Sequence, residues 1–199
     1  MTGSRPARAG EGDLAYAYRP SLLGAPWEFV LRDETLDWTA GRKSGRVALR
    51  AITRLRLSFR PIAMQSQRFL LEIWAVGAPK LEIGSSSWKS MVEQERLDQG
   101  YTAFVAELHR RLAQSGGIAR FEQGSDPLRY WPGLVVFAAL ALALAALCVR
   151  SLQAHAWSGA AFVAAFLLFF LWQAGNYFRR NRPGRYRANA LPAELMPRL

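Results

Sequence analysis

"WPGLVVFAALALALAALCV", residues 131–149, is a run of 19 residues without a charge, and its reading decides the class of this protein. As a helix rising about 1.5 Å per residue it spans roughly 28 Å, close to the hydrocarbon thickness of a bilayer. A second run, "WSGAAFVAAFLLFFLWQAGNYF" at 157–178, is uncharged over 22 residues. Backbone polar groups in lipid must be satisfied within the segment, so both runs are expected as helices. A chain of 199 residues has too little else to wrap two such helices in a soluble core. The expectation is a two-helix transmembrane hairpin, turning through a short outer loop at 150–156.

The flanks set the expected orientation. The loop holds one arginine, Arg150, whereas Arg120 and Arg129 precede the first span and Arg179, Arg180, Arg182, Arg185 and Arg187 follow the second. By the positive-inside rule both chain ends are cytoplasmic and the protein is integral to the cytoplasmic (inner) membrane. Aromatic anchors agree, with Tyr130 and Trp131 at the inner interface of the first span and Trp172 and Tyr177 at that of the second. Trp157 falls at the outer interface. Ala139, Ala143 and Ala160, Ala164 recur at four-residue spacing, which permits close helix contact within the hairpin or with a partner. No ionisable residue lies mid-span, which argues against a proton pump or ion-coupled transporter.

The formal net charge is +11, from 26 Lys+Arg against 15 Asp+Glu. Such an excess points to nucleic acid or to anionic membrane surfaces, and position decides between them. Residues 1–130 carry 19 basic and 14 acidic side chains, whereas the stretch from Arg179 onward carries six arginines against Glu194 alone. The densest excess abuts an apolar block, so anionic headgroups are the expected partner and nucleic acid is not. The single cysteine, Cys148, excludes a disulfide framework within one chain. The stretch "MTGSRPARAGEGD", 1–13, has no apolar core and reads as a disordered leader, not a signal peptide.

Residues 14–122 read mainly as short strands. Leu14, Tyr16 and Tyr18 alternate, as do Trp27, Phe29 and Leu31, then Leu36 and Trp38 beyond the Asp33-Glu34 turn. Val47, Leu49, Leu55, Leu57 and Phe59 share one parity, and so do Phe69, Leu71 and Ile73. Period-two patterning between turn signals marks an antiparallel sheet with one buried face. The period then changes: Tyr101, Phe104, Val105, Leu108 and Leu112 form one stripe of a helix, about 101–114, stopped by Ser115-Gly116-Gly117. A further helical stretch is expected from the serines at 85–87 across Trp88 to Leu97, and a short strand near Ile118 to Phe121. Residues 123–130 read as a linker, and 179–199 as a basic cytoplasmic tail. The fold class is α+β: a small antiparallel β sandwich or barrel with a C-terminal amphipathic helix, followed by the membrane hairpin.

The stretch "FVLRDETLDWTAGRKSGRVALRAITRLRLSF", 29–59, resembles the strand pattern of bacterial pleckstrin-homology-like domains. It has a strand, an acidic turn, a Leu-x-Trp strand, a glycine loop and a V-x-L-x-x-I-x-x-L strand. The resemblance spans roughly 14–122 and implies a curved sheet capped by the 101–114 helix, on a chain anchored by transmembrane helices. It transfers no catalytic residue.

Within that stretch "AGRKSG" is not a Walker A loop, because Arg42 stands before Lys43-Ser44 where glycine is required and a strand follows instead of a helix. It reads as a hairpin turn. Arg42, Lys43 and Arg46 are the candidate contacts for an anionic lipid or ligand, each worth about 1 kcal/mol beside a charged surface. Arg50, Arg54, Arg56 and Arg60 share the opposite parity and read as a solvated basic stripe, partly paired with acids such as Glu72 and with no aromatic interleaved. His109 reads as an exposed helix residue. No metal set, serine elbow or paired carboxylate stands out, and neither cofactor nor catalysis is expected. The functional expectation is a non-enzymatic binding or assembly module that presents its sheet domain to a protein partner or a second copy. The alternative is an accessory subunit of a membrane enzyme or transporter.

Overall fold

The computed structural model describes residues 12–60, 68–90 and 93–197, so residues 1–11 of the expected leader lie outside the described residues. The chain divides into two compact units: Met1–Gln123 together with Gly184–Leu199, and Gly124–Pro183.

In the first unit, β1 (Leu14–Tyr18), β2 (Trp27–Leu31), β3 (Thr35–Ala40) and β4 (Lys43–Ala48) form a four-stranded antiparallel meander. A 3-10 turn at Leu49–Ala51 leads into β5 (Ile52–Phe59), β6 (Phe69–Ala75) and β7 (Leu81–Gly84), which pair antiparallel in that order. β8 (Ser86–Trp88) and β9 (Gln94–Arg96) make a separate two-stranded hairpin. Within the stretch from Trp88 to Leu97, expected as helix, Trp88 and Gln94–Arg96 are strand instead, and residues 91 and 92 lie outside the described residues. The chain doubles back there, with Lys89 and Ser90 both donating backbone N–H groups to the Glu93 carbonyl. α1 (Asp98–Gln114) follows and ends beside Gly116, whose φ is +66°.

β10 (Arg120–Gln123) then runs parallel to β5, so this second sheet is mixed. β11 (Gly184–Arg185) closes its far side, antiparallel to β10, giving the order β11-β10-β5-β6-β7. The α+β class and the mainly antiparallel pairing match expectation. Among the described residues neither sheet closes on itself into a barrel.

Both sheets and α1 share one core. The parity residues Phe29, Leu36, Leu55, Leu57, Leu71 and Ile73 are all buried, together with the α1 stripe from Tyr101 to Leu112. Phe104 packs its ring 5.6 Å from Tyr16 and 6.3 Å from Phe29. Two tyrosines of β1 tie the sheets together, Tyr16 donating its hydroxyl proton to the Gly84 carbonyl at 2.6 Å and Tyr18 to that of Glu82 at 2.7 Å.

The stretch read as a tail supplies part of this core. After β11, Tyr186 and Leu191 pack against it, and Leu195 and Met196 are buried in it, on a 3-10 turn at Ala193–Leu195 that touches β5. Only residues up to Pro183 belong to the other unit.

The second unit holds α2 (Pro127–Gln153) and α3 (Trp157–Arg180), both long and apolar enough to cross a membrane. α2 extends past the uncharged run at both ends, taking in the second half of the expected linker. Asp126 caps it by accepting from the Leu128 N–H at 3.0 Å, and Pro127 sits where no backbone donor is needed. Three contacts fix the helices as antiparallel: Tyr130 with Phe178, Phe137 with Phe170, and Cys148 with the Ala160 carbonyl. His155 takes a φ of 58° in the turn between them.

Because Gln123 and Gly184 are directly paired strand residues, a two-residue turn suffices to join them. Replacing residues 124–183 by Asn-Gly is expected to leave a water-soluble sheet unit with cooperative unfolding by circular dichroism. Ending that chain at Gln123 strips Leu195 and Met196 from the core and lowers stability by about 2–5 kcal/mol for each buried side chain lost. An Asn-Gly chain that aggregates or unfolds without cooperativity would contradict this architecture.

Candidate functional site

The candidate residues Arg42 and Lys43 lie at one end of the four-stranded sheet. The cross-strand row Tyr18–Trp27–Ala40–Lys43 shows why: it puts the β1–β2 connection and the β3–β4 turn at the same end. The turn itself is two residues, Gly41-Arg42, and only the glycine has a positive φ, +62°. That is the type II′ pattern, which needs glycine first. A Cβ on Gly41 would also come within 2.9 Å of the Ala25 Cβ, so the two connections touch. The other glycine of the motif has a steric role, since a Cβ on Gly45 would meet the indole of its partner Trp38 at 2.9 Å. Leu23, on the neighbouring connection, is fully exposed. Two basic side chains and an unsheltered leucine therefore share one rim.

Arg46 is engaged elsewhere. It pairs across the strands with Asp37, donating from Nε to Oδ1 at 2.6 Å and from Nη2 to Oδ2 at 2.8 Å. Arg32 adds a bond to Asp37 at 3.0 Å and one to Asp13 at 2.6 Å. The Arg46 bonds, then those of Arg32, hold the Asp37 carboxyl below its ordinary range against the opposing effect of burial. Parity explains the separation: Arg46 faces the Asp37 side of the sheet, and the turn does not.

The expected interface residues divide in the same way. Trp131, Trp157 and Trp172 are exposed on the helices. Tyr130 is turned into the hairpin instead, 7 % exposed, with its hydroxyl donating to the Phe178 carbonyl at 3.3 Å. The Tyr177 hydroxyl lies 3.4 Å from Ser125 Oγ at that same end. From Trp157 to Tyr177 the helix rises about 30 Å, a hydrocarbon thickness. Of the five arginines, Arg179 and Arg180 end α3 and Arg182 follows. Arg185 lies on β11 opposite Glu122, and Arg187 bridges to Ala190.

Of the basic stripe, Arg50 sits in the 3-10 turn, while Arg54 and Arg56 occupy the outer face of β5. An aromatic does interleave, contrary to the sequence reading. Trp74 on β6 lies under the Arg54 guanidinium at 3.7 Å, with Arg56 and Lys80 each at 5.4 Å. Acids neutralise much of the cluster: Glu122 holds Arg56 at 3.0 Å, and the buried Glu72 holds Arg60 at 3.3 Å and Lys80 at 2.5 Å. Trp74 belongs to the next strand, so a search along β5 alone misses it; the register Arg54↔Trp74 reveals it.

His109 is also corrected, from exposed to 1 % exposed. It stacks near Phe121 and Tyr186, with ring centroids at 5.4 and 5.7 Å. Nδ1 lies 2.7 Å from the Val105 carbonyl and Nε2 2.8 Å from the Tyr186 hydroxyl. The carbonyl can only accept, so Nδ1 carries the proton and Nε2 accepts from Tyr186. This bond pins the returning segment to α1.

Burial pushes His109 down from 6.5 to about 4, and the Val105 bond opposes it only in part. Below pH 6.5 the unfolded chain takes up the proton before the native chain does, so native stability falls as pH drops from 6.5 toward 4. The loss approaches about 3 kcal/mol. In denaturant titrations the stability advantage of the native chain over His109→Gln is expected to shrink across that window. An advantage independent of pH would show that His109 is not buried neutral.

Comparison with protein-family models, curated proteins and solved structures finds no match to this chain.

Proposed function

We propose that this protein is a non-enzymatic, membrane-anchored binding or assembly module, with a pleckstrin-homology-like sheet domain at the cytoplasmic face of the inner membrane. The observation that carries the reading is the pairing of Gln123 with Gly184. Whatever lies between two paired strand residues must end where it begins. The intervening segment is two antiparallel apolar helices almost none of whose residues are buried. A hairpin that crosses a bilayer and returns satisfies both facts, because its exposed leucines and phenylalanines meet lipid instead of water. It also keeps the sheet unit, built from both sides of the hairpin, in one compartment.

The five arginines beyond the hairpin, set against Arg150 alone in its turn, favour the cytoplasm for that compartment. The Arg42, Lys43 and Leu23 rim supports contact with an anionic surface, since two cations and an apolar side chain meet the two components of a headgroup layer. Within this reading the sheet presents its outer faces to a partner protein or a second copy.

Two measurements test the proposal. Reporter fusions at either end of the chain are expected to be active only as cytoplasmic reporters, with the opposite result for an insertion at His155; opposite signals from the two ends would defeat the hairpin. For the rim, a dye on Leu23→Cys (with Cys148→Ala) is read in nanodiscs carrying nitroxide headgroups. Quenching is expected with anionic lipid and is expected to fall several-fold when Arg42 and Lys43 become glutamate, as two contacts of about 1 kcal/mol predict. No quenching in either lipid would remove the rim from the membrane contact.

A further inference from the structure

We propose that the outer face of α3, near its C-terminal end, seats one anionic glycerophospholipid between Trp172, Gly175, Asn176 and Arg179; this rests on the membrane reading of the hairpin. These four positions follow the i, i+3, i+4, i+7 spacing of a single helix face. They line a concavity of about 370 Å³. Its floor is the backbone at Gly175, where an added Cβ would meet nothing within 4 Å, so the notch exists because that side chain is missing. Trp172 walls the apolar end and is 69 % exposed. At the other end Arg179 donates from Nη2 to Asn176 Oδ1 at 3.2 Å, which ties the guanidinium to the polar side of the notch.

The chemistry changes along the seat as it changes along a lipid. From Trp172 to Arg179 the helix rises about 10 Å, from the buried side of the interface to the last turn of the span. An acyl chain and its ester lie against the indole and over Gly175, a lateral approach that a larger residue blocks. The phosphodiester then meets the remaining guanidinium N–H groups and the Asn176 Nδ2 donors, a charge-assisted arrangement in a region of low dielectric. α3 contains no Asp or Glu to repel it. A free phosphate ion fills only the polar half and competes there with water, whereas a lipid fills both halves and is already present at high local concentration.

The test uses the full-length protein in mild detergent, delipidated and then titrated with phosphatidylglycerol or phosphatidylcholine, with bound lipid counted by native mass spectrometry. One phosphatidylglycerol is expected to be retained in preference to phosphatidylcholine. Arg179→Gln and Gly175→Leu are each expected to weaken retention about tenfold, the equivalent of one charge-assisted bond or a blocked seat. Arg96→Gln, in the sheet unit, is expected to leave it unchanged. Leucine is a better helix former than glycine and the space beside Gly175 is open, so the Gly175→Leu chain folds as the native one does. Retention by both variants at the native level overturns the seat, as does displacement of the lipid by millimolar inorganic phosphate. Alkaline carbonate extraction separates the two levels: release of the native chain from membranes defeats the membrane reading itself, whereas a chain that stays in the membrane but binds lipid indifferently to position 175 defeats only the seat.

Discussion

The structure depends on the short antiparallel pairing of β10 with β11, which places Gln123 against Gly184. Residues far apart in sequence become neighbours, and the apolar helices between them are an insertion into a sheet, not an appendage after it. The sheet unit is consequently discontinuous in the chain. Two strand residues make a weak pairing alone. The segment beyond it strengthens the closure by burying Leu195 and Met196 and by the Tyr186 bond to His109. Closing so long a loop carries an entropic cost that grows only slowly with length, and a preformed helical hairpin with adjacent ends reduces it further.

A second theme is where the positive charge goes. A net charge of +11 suggests a broadly basic surface, but many arginines act as structural cross-links. Arg111 is the clearest case: it donates to Glu107 at 2.6 Å, to the Gly12 carbonyl at 2.8 Å and toward Asp33 at 3.3 Å, so that α1 grips the β2–β3 turn. Arg46 and Arg32 do the same around Asp37. Exposed members of such pairs contribute about 0–1 kcal/mol each, whereas the mostly buried Arg111 depends on every one of its bonds. The rim at Arg42 and Lys43 instead carries two exposed cations beside the exposed Leu23.

The periodicities were readable because burial enforces them. The parity of Leu55, Leu57 and Phe59, the stripe from Tyr101 to Leu112 and the two uncharged runs each follow from one face, or every face, avoiding water. The hairpin at Gly41-Arg42 was legible for a local reason, that few residues other than glycine tolerate its positive φ. The β8–β9 hairpin was not, since short polar stretches carry no period strong enough to separate strand from helix. His109 and Tyr186 were missed because each is flanked by arginine, and a charged run hides a single inward position.

Neighbours within a few residues settle the class of each segment: apolar spans, half-buried strands and one amphipathic helix. Which residues meet is settled by the fold. Pairing register put Trp74 under Arg54, removed Arg46 to Asp37 and folded the supposed tail into the core. The reason is physical: local pattern reports how much water a residue avoids, whereas a contact across the fold depends on closing a loop and on the geometry of both its ends.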